Sequence, residues 1–201
     1  MHIARGDTMY IAVEGIDTAG KSTQIEALTS LFPDALITKE PGGTAVGTQI
    51  RSMVLHGELK SKTAELLLFL ADRAEHTERV ILPNMNKLII SDRSAVSGMA
   101  YASVQDLCDE STLVLLNRLA TGGTLPDTVF ILKLSAEELT HRLSQKEHDV
   151  IESRGIEYLL RIQDALIASA FALGIQTHVI DATQTIDTIT QEITTLIKGA
   201  L

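Results

Sequence analysis

Met9-Tyr10-Ile11-Ala12-Val13-Glu14 runs directly into Gly15-Ile16-Asp17-Thr18-Ala19-Gly20-Lys21-Ser22, a short apolar, β-rich run followed by a loop of the pattern G-x-x-x-x-G-K-S/T. Gly15 and Gly20 admit backbone conformations closed to residues with a Cβ, so successive N–H groups can turn inward around an anion. Ser22 to Leu31 reads as a helix whose positive N-terminal end points at the same place. Lys21 adds a movable point charge for outer phosphates, and the Ser22 hydroxyl suits Mg²⁺. At ordinary residue usage a chance match in a chain of this length has odds of about one in a hundred. Strand, phosphate loop and helix in this order imply binding of a nucleoside triphosphate or something close to it.

Outward from this unit, apolar β-like runs recur at Tyr10–Glu14, Ala35–Lys39, Lys87–Ser91, Thr128–Leu134 and Thr177–Asp181. Helical stretches alternate with them at Lys21–Leu31, Val46–Leu55, Lys62–Leu82, Leu107–Leu119, Ala136–Gln145, Gly155–Leu173 and Ile186–Ile197. Continuous apolar strands separated by helices predict an α/β three-layer sandwich, a five-stranded parallel sheet with helices on both faces. In such sheets ligands sit beyond the carboxyl ends of the strands, so the residues just after each strand are the ones that matter.

With 201 residues and 45% apolar content, the chain is expected to form one domain spanning 1–201. Met1 to Thr8 is polar and reads as an N-terminal extension or an expression remnant before the first strand. The net charge of −9 argues against a nucleic-acid partner, which would ask for a basic face. The single cysteine, Cys108, excludes an internal disulfide and fits a reducing cytoplasm. No apolar run approaches the ~18 residues of a membrane span.

Two further clusters follow strand ends. Lys39-Glu40-Pro41-Gly42-Gly43-Thr44 makes a sharp turn where backbone can approach a ligand, with Arg51 a helical face later. By itself this also fits an ordinary strand-to-helix turn. Asp92-Arg93 ends the third strand, ahead of Ser94, Ser97 and Ala100-Tyr101, and an acidic residue at that place suits Mg²⁺ held with phosphates. Between them Phe69 and Arg73, four apart, share a helix face, on which a planar base could stack while the arginine donates to its carbonyl edge. Taken alone, Phe69 would more often be a core residue, and His76 a helix-end or surface histidine.

Taken in order, the phosphate loop with Asp17, the Glu40–Thr44 turn with Arg51, Leu68-Phe69-Leu70-Ala71-Asp72-Arg73 and Asp92-Arg93 leading to Ala100-Tyr101 resemble the thymidylate kinases, from about Met9 to the C-terminus. The resemblance implies ATP-dependent phosphoryl transfer to dTMP with Mg²⁺, in a cytoplasmic homodimer. It implies that Gly15, Ile16, Asp17, Thr18, Ala19, Gly20, Lys21, Ser22 and Thr23 surround ATP, with Ser22 and Asp92 as metal residues. Asp17 would meet the dTMP sugar hydroxyl, and Arg51 and Arg93 would clamp its phosphate. Phe69 would stack on thymine, Arg73 bond its carbonyl, and Tyr101 fill the space of a ribose 2′-hydroxyl. Glu40 and Pro41 would begin the turn over the acceptor.

The chain departs from the family pattern at five positions. Ser94 stands where Tyr is common, and Ala102 where Gln commonly follows Ala-Tyr. Gly98 replaces a polar residue facing the base, which leaves Ser97, water or backbone to read thymine N3. In the lid, expected at about 142–155, Asp149-Val150-Ile151-Glu152 carries Val150 in place of an arginine, and the phosphate loop holds Thr18 where some members place one. Arg142 or Arg154 is then the expected cation over the migrating group; otherwise both are solvated charges.

A phosphate monoester acceptor needs no general base, because its second pKa is about 6. The alternatives are a deoxynucleoside or pyrimidine-monophosphate kinase, or a nucleotide-driven switch protein. A nucleoside kinase would need a base, for which Glu40 is the one obvious candidate, and it would leave the two arginines without a purpose. The chain has no Asn-Lys-x-Asp guanine signature for a switch.

Overall fold

The structure, a computed structural model, describes residues 8–57, 59–144 and 155–201. Five strands, β1 (Met9–Gly15), β2 (Leu36–Lys39), β3 (Leu88–Asp92), β4 (Thr128–Lys133) and β5 (Gln176–Asp181), form one sheet in the order β2-β3-β1-β4-β5. Every pairing is parallel. β1 lies at the centre and is buried along its whole length, which is why its sequence is apolar without alternation.

The helices are α1 (Lys21–Leu31), α2 (Ala45–His56), α3 (Lys62–His76), α4 (Ala95–Val104), α5 (Glu110–Ala120), α6 (Ala136–Leu143), α7 (Ile156–Leu173) and α8 (Ile186–Ala200). α1 packs on α8, and α4 on α7, while α2 and α5 both pack on α3. Side-chain caps start most of them: Thr44, Ser61, Ser94, Asp109, Ser135 and Thr185 each accept a first-turn N–H. Ile11, Val13, Phe130, Ile131, Leu132, Leu139 and Leu166 are fully buried between the layers. Each such aliphatic side chain contributes roughly 1.5–3 kcal/mol relative to exposure.

The expected strands agree with the sheet to within a residue or two, whereas three helical expectations change. The helix expected over Lys62–Leu82 ends at His76 and passes through a π turn, Thr77–Ile81, into a 3₁₀ turn, Leu82–Asn84. Pro83 cannot donate to the ladder and its ring crowds the preceding turn. α5 begins at Glu110 rather than Leu107, because the Asp109 side chain takes the Thr112 N–H. α4 was not anticipated as a helix: Ala95, Val96, Ser97, Met99, Ala100 and Ala102 are all buried, so it has little polar stripe to betray its period. No helix among the described residues is long and apolar enough to cross a membrane.

Candidate active site

Parallel register brings the ends of the central strands to one edge, with Val13 opposite Asp92 and Gly15 opposite Leu132. The loop after β1 turns through left-handed backbone at Thr18 (φ 69°) and Gly20 (φ 95°) before α1 begins. At Gly15 a Cβ would lie 3.1 Å from the Leu132 carbonyl oxygen, so the close approach of the two strand ends asks for glycine. The Ile16 and Ala19 side chains are buried, which leaves their backbone as what the loop offers a ligand. Ser22 and Thr23 lie exposed on the first turn of α1.

Lys21 folds over this loop: Nζ donates to the Ile16 carbonyl at 3.0 Å and lies 3.7 Å from Asp17 Oδ1. Burial, and then the neighbouring Arg93, pull its ammonium down to about 8, against the opposing pull of Asp17, Asp92 and Glu14. A lysine in that condition gains from any further negative charge brought beside it.

Arg93 joins the loop to the end of β3. Its Nη2 donates to Asp17 Oδ1 at 2.7 Å, and Nη1 donates to the Gly15 carbonyl at 3.1 Å and to Ser97 Oγ at 3.0 Å. The Arg93 backbone is left-handed (φ 70°), a conformation that costs a residue with a side chain of order 1–3 kcal/mol. It is held by its N–H on the Val13 carbonyl at 3.1 Å and by Ser91 Oγ donating to its carbonyl at 2.7 Å. The strain aims the guanidinium back across the loop.

Below Arg93 lies a carboxylate that the sequence reading passed over. Glu14 is fully buried and accepts from Ser94 Oγ at 2.8 Å and from Ser97 Oγ at 2.5 Å; burial raises its pKa. A carboxylate closing an otherwise apolar strand was the signal that could have found it.

Across the cleft the expected residues are gathered by a second buried network. Arg73, 4% exposed, donates Nε to Glu40 Oε2 at 2.9 Å, Nη1 to Asn117 Oδ1 at 2.9 Å and Nη2 to the Ser94 carbonyl at 3.3 Å. His76 Nδ1 donates to Glu40 Oε1 at 2.9 Å, and Nε2 shares a 2.6 Å hydrogen bond with Thr38 Oγ1. His76 is therefore fully buried rather than a surface histidine, because the Glu40 carboxylate needs a second donor. Burial pushes Glu40 upward, yet Arg73 and His76 hold it below its ordinary value. Asn117, which no motif marked, completes the set by fixing one Arg73 nitrogen.

The base of the Gly42–Thr44 turn is tied to α3 by Asp72, which accepts the Gly42 N–H at 3.0 Å. Arg51 lies across the turn with Nη1 on the Pro41 carbonyl at 3.1 Å and remains exposed. Phe69 is half-buried and is not among the side chains packed on the main apolar cluster. Gly98 leaves the Arg73 guanidinium its room, since a Cβ there would lie 2.7 Å from Nη2. Ser97, expected to face the base, has its hydroxyl between Glu14 and Arg93. Burial pushes the Tyr101 phenol up to about 12, so it stays neutral.

Arg142 reaches back from α6: Nε donates to Glu138 at 2.6 Å, Nη1 to the Thr18 carbonyl at 3.1 Å and Nη2 to the Ala182 carbonyl at 2.8 Å. Arg154, Val150 and most of the expected lid lie outside the described residues. Thr18 Oγ1, Asp92 Oδ1 and Tyr101 Oη are buried without a hydrogen-bond partner, a condition that costs free energy until a ligand or water meets it. Among the described residues no group of three or more His, Cys, Asp or Glu could hold a metal by itself. The unpartnered Asp92 oxygen and the exposed Ser22 hydroxyl fit a cation that arrives with phosphates.

The chain is similar to known proteins over most of its length. Residues 13–193 match the family model of thymidylate kinase. A thymidylate kinase from Sulfurimonas denitrificans is 63% identical over 185 residues, covering 92% of this chain and 97% of that one. One from Wolinella succinogenes is 57% identical over 174 residues, covering 87% and 90%. The crystal structure of thymidylate kinase from Ehrlichia chaffeensis superposes with a TM-score of 0.73 at 26% identity, covering 96% of this chain and all of that one.

Proposed function

The chain belongs to the thymidylate kinase family, ATP-dependent nucleoside-monophosphate kinases, and on that premise we propose how its residues divide the transfer of the γ-phosphoryl of ATP to dTMP. The observation that carries the division is the 2.7 Å Arg93–Asp17 ion pair, which ties the phosphate loop to the end of β3. Residues 15–23 bind the ATP phosphates, with Lys21 swinging from the Ile16 carbonyl onto them. Ser22 and Asp92 would hold Mg²⁺ with the nucleotide, and the ion would supply positive charge against the phosphates. Arg93 and Arg51 clamp the dTMP phosphate, and Asp17, released from Arg93 by that phosphate, receives the sugar hydroxyl. Phe69 stacks on thymine, Arg73 offers its remaining N–H groups to the base, and Tyr101 bars a 2′-hydroxyl. Glu40 and Pro41 keep the turn and Arg73 in place.

The reaction is then electrostatic. An oxygen of the dianionic dTMP phosphate attacks the γ-phosphorus, the bond to the bridging oxygen breaks, and ADP leaves with that electron pair. No proton need be removed, so Glu40 is not asked to serve as a base. Arg93 and Arg142, with Lys21 once it has swung over, surround the migrating group with positive charge. The Arg142 guanidinium on the Thr18 carbonyl supports Arg142 as a cation over the migrating group. Exclusion of water from the site would keep it from accepting the phosphoryl group. The enzyme works in the cytoplasm as a homodimer. Exposed Leu67, Leu115 and Leu119 support the dimer, while Leu66, Leu70 and Leu113 belong to the core.

A coupled assay with Mg·ATP against dTMP, dUMP, dCMP, dAMP and AMP tests the reading. ADP release that depends strongly on dTMP and weakly on dUMP is expected. ATP hydrolysis without dependence on any acceptor would overturn it.

A further inference from the structure

The Arg93 guanidinium bonds the Gly15 carbonyl and, beside it, two side-chain anchors of different kinds. Asp17 stands on the loop, 30% exposed, and is shared with Lys21. An incoming phosphate competes for both of its partners. The other anchor is dry: Ser97 Oγ accepts from Arg93 Nη1 and gives its own proton to Glu14 Oε2, and both Ser97 and Glu14 are buried. A hydroxyl has one proton. With that proton committed to a buried carboxylate, the lone pairs are left to face the guanidinium, so Glu14 decides which way the Ser97 hydroxyl points. From this chain of bonds we infer that Glu14 is a positioning residue for Arg93, acting through Ser97, and that it keeps the guanidinium in place when a substrate phosphate draws Asp17 away. The inference rests on the proposed role of Arg93 as the phosphate clamp and deepens it.

Ser94 provides the internal comparison. It donates to the same carboxylate at 2.8 Å, but its hydroxyl otherwise caps the Val96 N–H and makes no bond to Arg93. Loss of either serine hydroxyl removes one donor from buried Glu14, so both cost stability. Only Ser97 transmits to the clamp. In Glu14→Gln the amide oxygen can still accept from one serine, while its NH₂ forces the other hydroxyl to turn round and accept.

The test measures dTMP KM at saturating Mg·ATP, the inhibition constant of thymidine, and thermal unfolding, for Glu14→Gln, Ser97→Ala, the double variant and Ser94→Ala. Thymidine shares the base and sugar of dTMP but has no phosphate. Glu14→Gln and Ser97→Ala should each raise dTMP KM about tenfold and leave thymidine inhibition within about twofold. The double variant should be no worse than the more severe single by more than about twofold, because the two changes break one chain of bonds. Ser94→Ala should lower the unfolding temperature and keep dTMP KM within about twofold. Unchanged dTMP KM in Ser97→Ala, or a rise in the thymidine constant in step with it, overturns the inference. If Glu14→Gln does not fold, the contrast between Ser97→Ala and Ser94→Ala decides the matter. Arg93→Ala separates the two readings: unchanged dTMP KM there would remove the clamp itself, whereas a raised KM beside normal Glu14→Gln and Ser97→Ala would remove only the positioning.

Discussion

The two ends of this site hold their cations by different means. At the phosphate loop, Lys21 bonds a carbonyl five residues earlier, so its placement is set within one short stretch of chain. At the other end, Arg73 owes its orientation to Glu40, 33 positions away, and to Asn117, 44 positions away. The loop is a local object: apart from Ile16 and Ala19, which belong to the core, its side chains add little to the packing of the fold. The Arg73 network is part of the interior, so binding and stability are drawn from the same bonds. Loop changes should therefore separate activity from folding, and network changes should not.

Lys21→Ala should test that contrast most strongly, with kcat falling about a thousandfold or more, some 4 kcal/mol of lost transition-state stabilisation. The unfolding temperature at pH 7 should stay within about 2 °C, since the variant loses a buried ammonium whose desolvation opposed folding. More than about a tenth of the activity remaining would end the phosphate role of Lys21. Arg73→Ala should do both kinds of damage. Left with only His76 beside it, buried Glu40 should cost about 3–5 kcal/mol in chemical denaturation, and dTMP KM should rise as well. An undiminished unfolding free energy would erase the distinction between the two ends.

Phe69→Ala sharpens the contrast from within the acceptor end, because Phe69 stands outside the network. Roughly 1–3 kcal/mol of stacking should go, read as a tenfold or greater rise in dTMP KM, with stability changed by less than about 1 kcal/mol. An unchanged KM would return Phe69 to the core. The smallest effect concerns Lys21 in the free protein. With its pKa lowered from 10.5 to about 8, nucleotide phosphates should raise it again. Binding should then take up as much as one proton above pH 8, and affinity should fall as pH rises through that window. Below pH 7 Lys21 is protonated in both states and should contribute no uptake. Calorimetric titration in two buffers of different ionisation enthalpy reads this directly, and uptake that does not grow between pH 7 and pH 9 would contradict it.

The same division explains which features were legible beforehand. The loop spells its chemistry in eight consecutive residues, and the strands announce themselves as unbroken apolar runs. Phe69 and Arg73 were visible as a pair because helical spacing is local. His76 does close a helix, but its burial was not foreseen, and Glu14 and Asn117 were passed over, since the reason each is buried stands on another element. α4 escaped notice for a related cause, its burial on most sides leaving no amphipathic period.

The sequence alone, then, determined the parallel α/β architecture and the phosphate-loop motif, which depend on short-range backbone and periodicity rules, while the arginines were singled out by the family resemblance. Only the tertiary structure decided what each arginine leans on: Arg93 on Asp17 and Ser97, Arg73 on Glu40 and Asn117, Arg142 on the Thr18 and Ala182 carbonyls. A buried charge must find its partner wherever the packing of the sheet and helices brings one, and that pairing follows distance in space rather than distance along the chain.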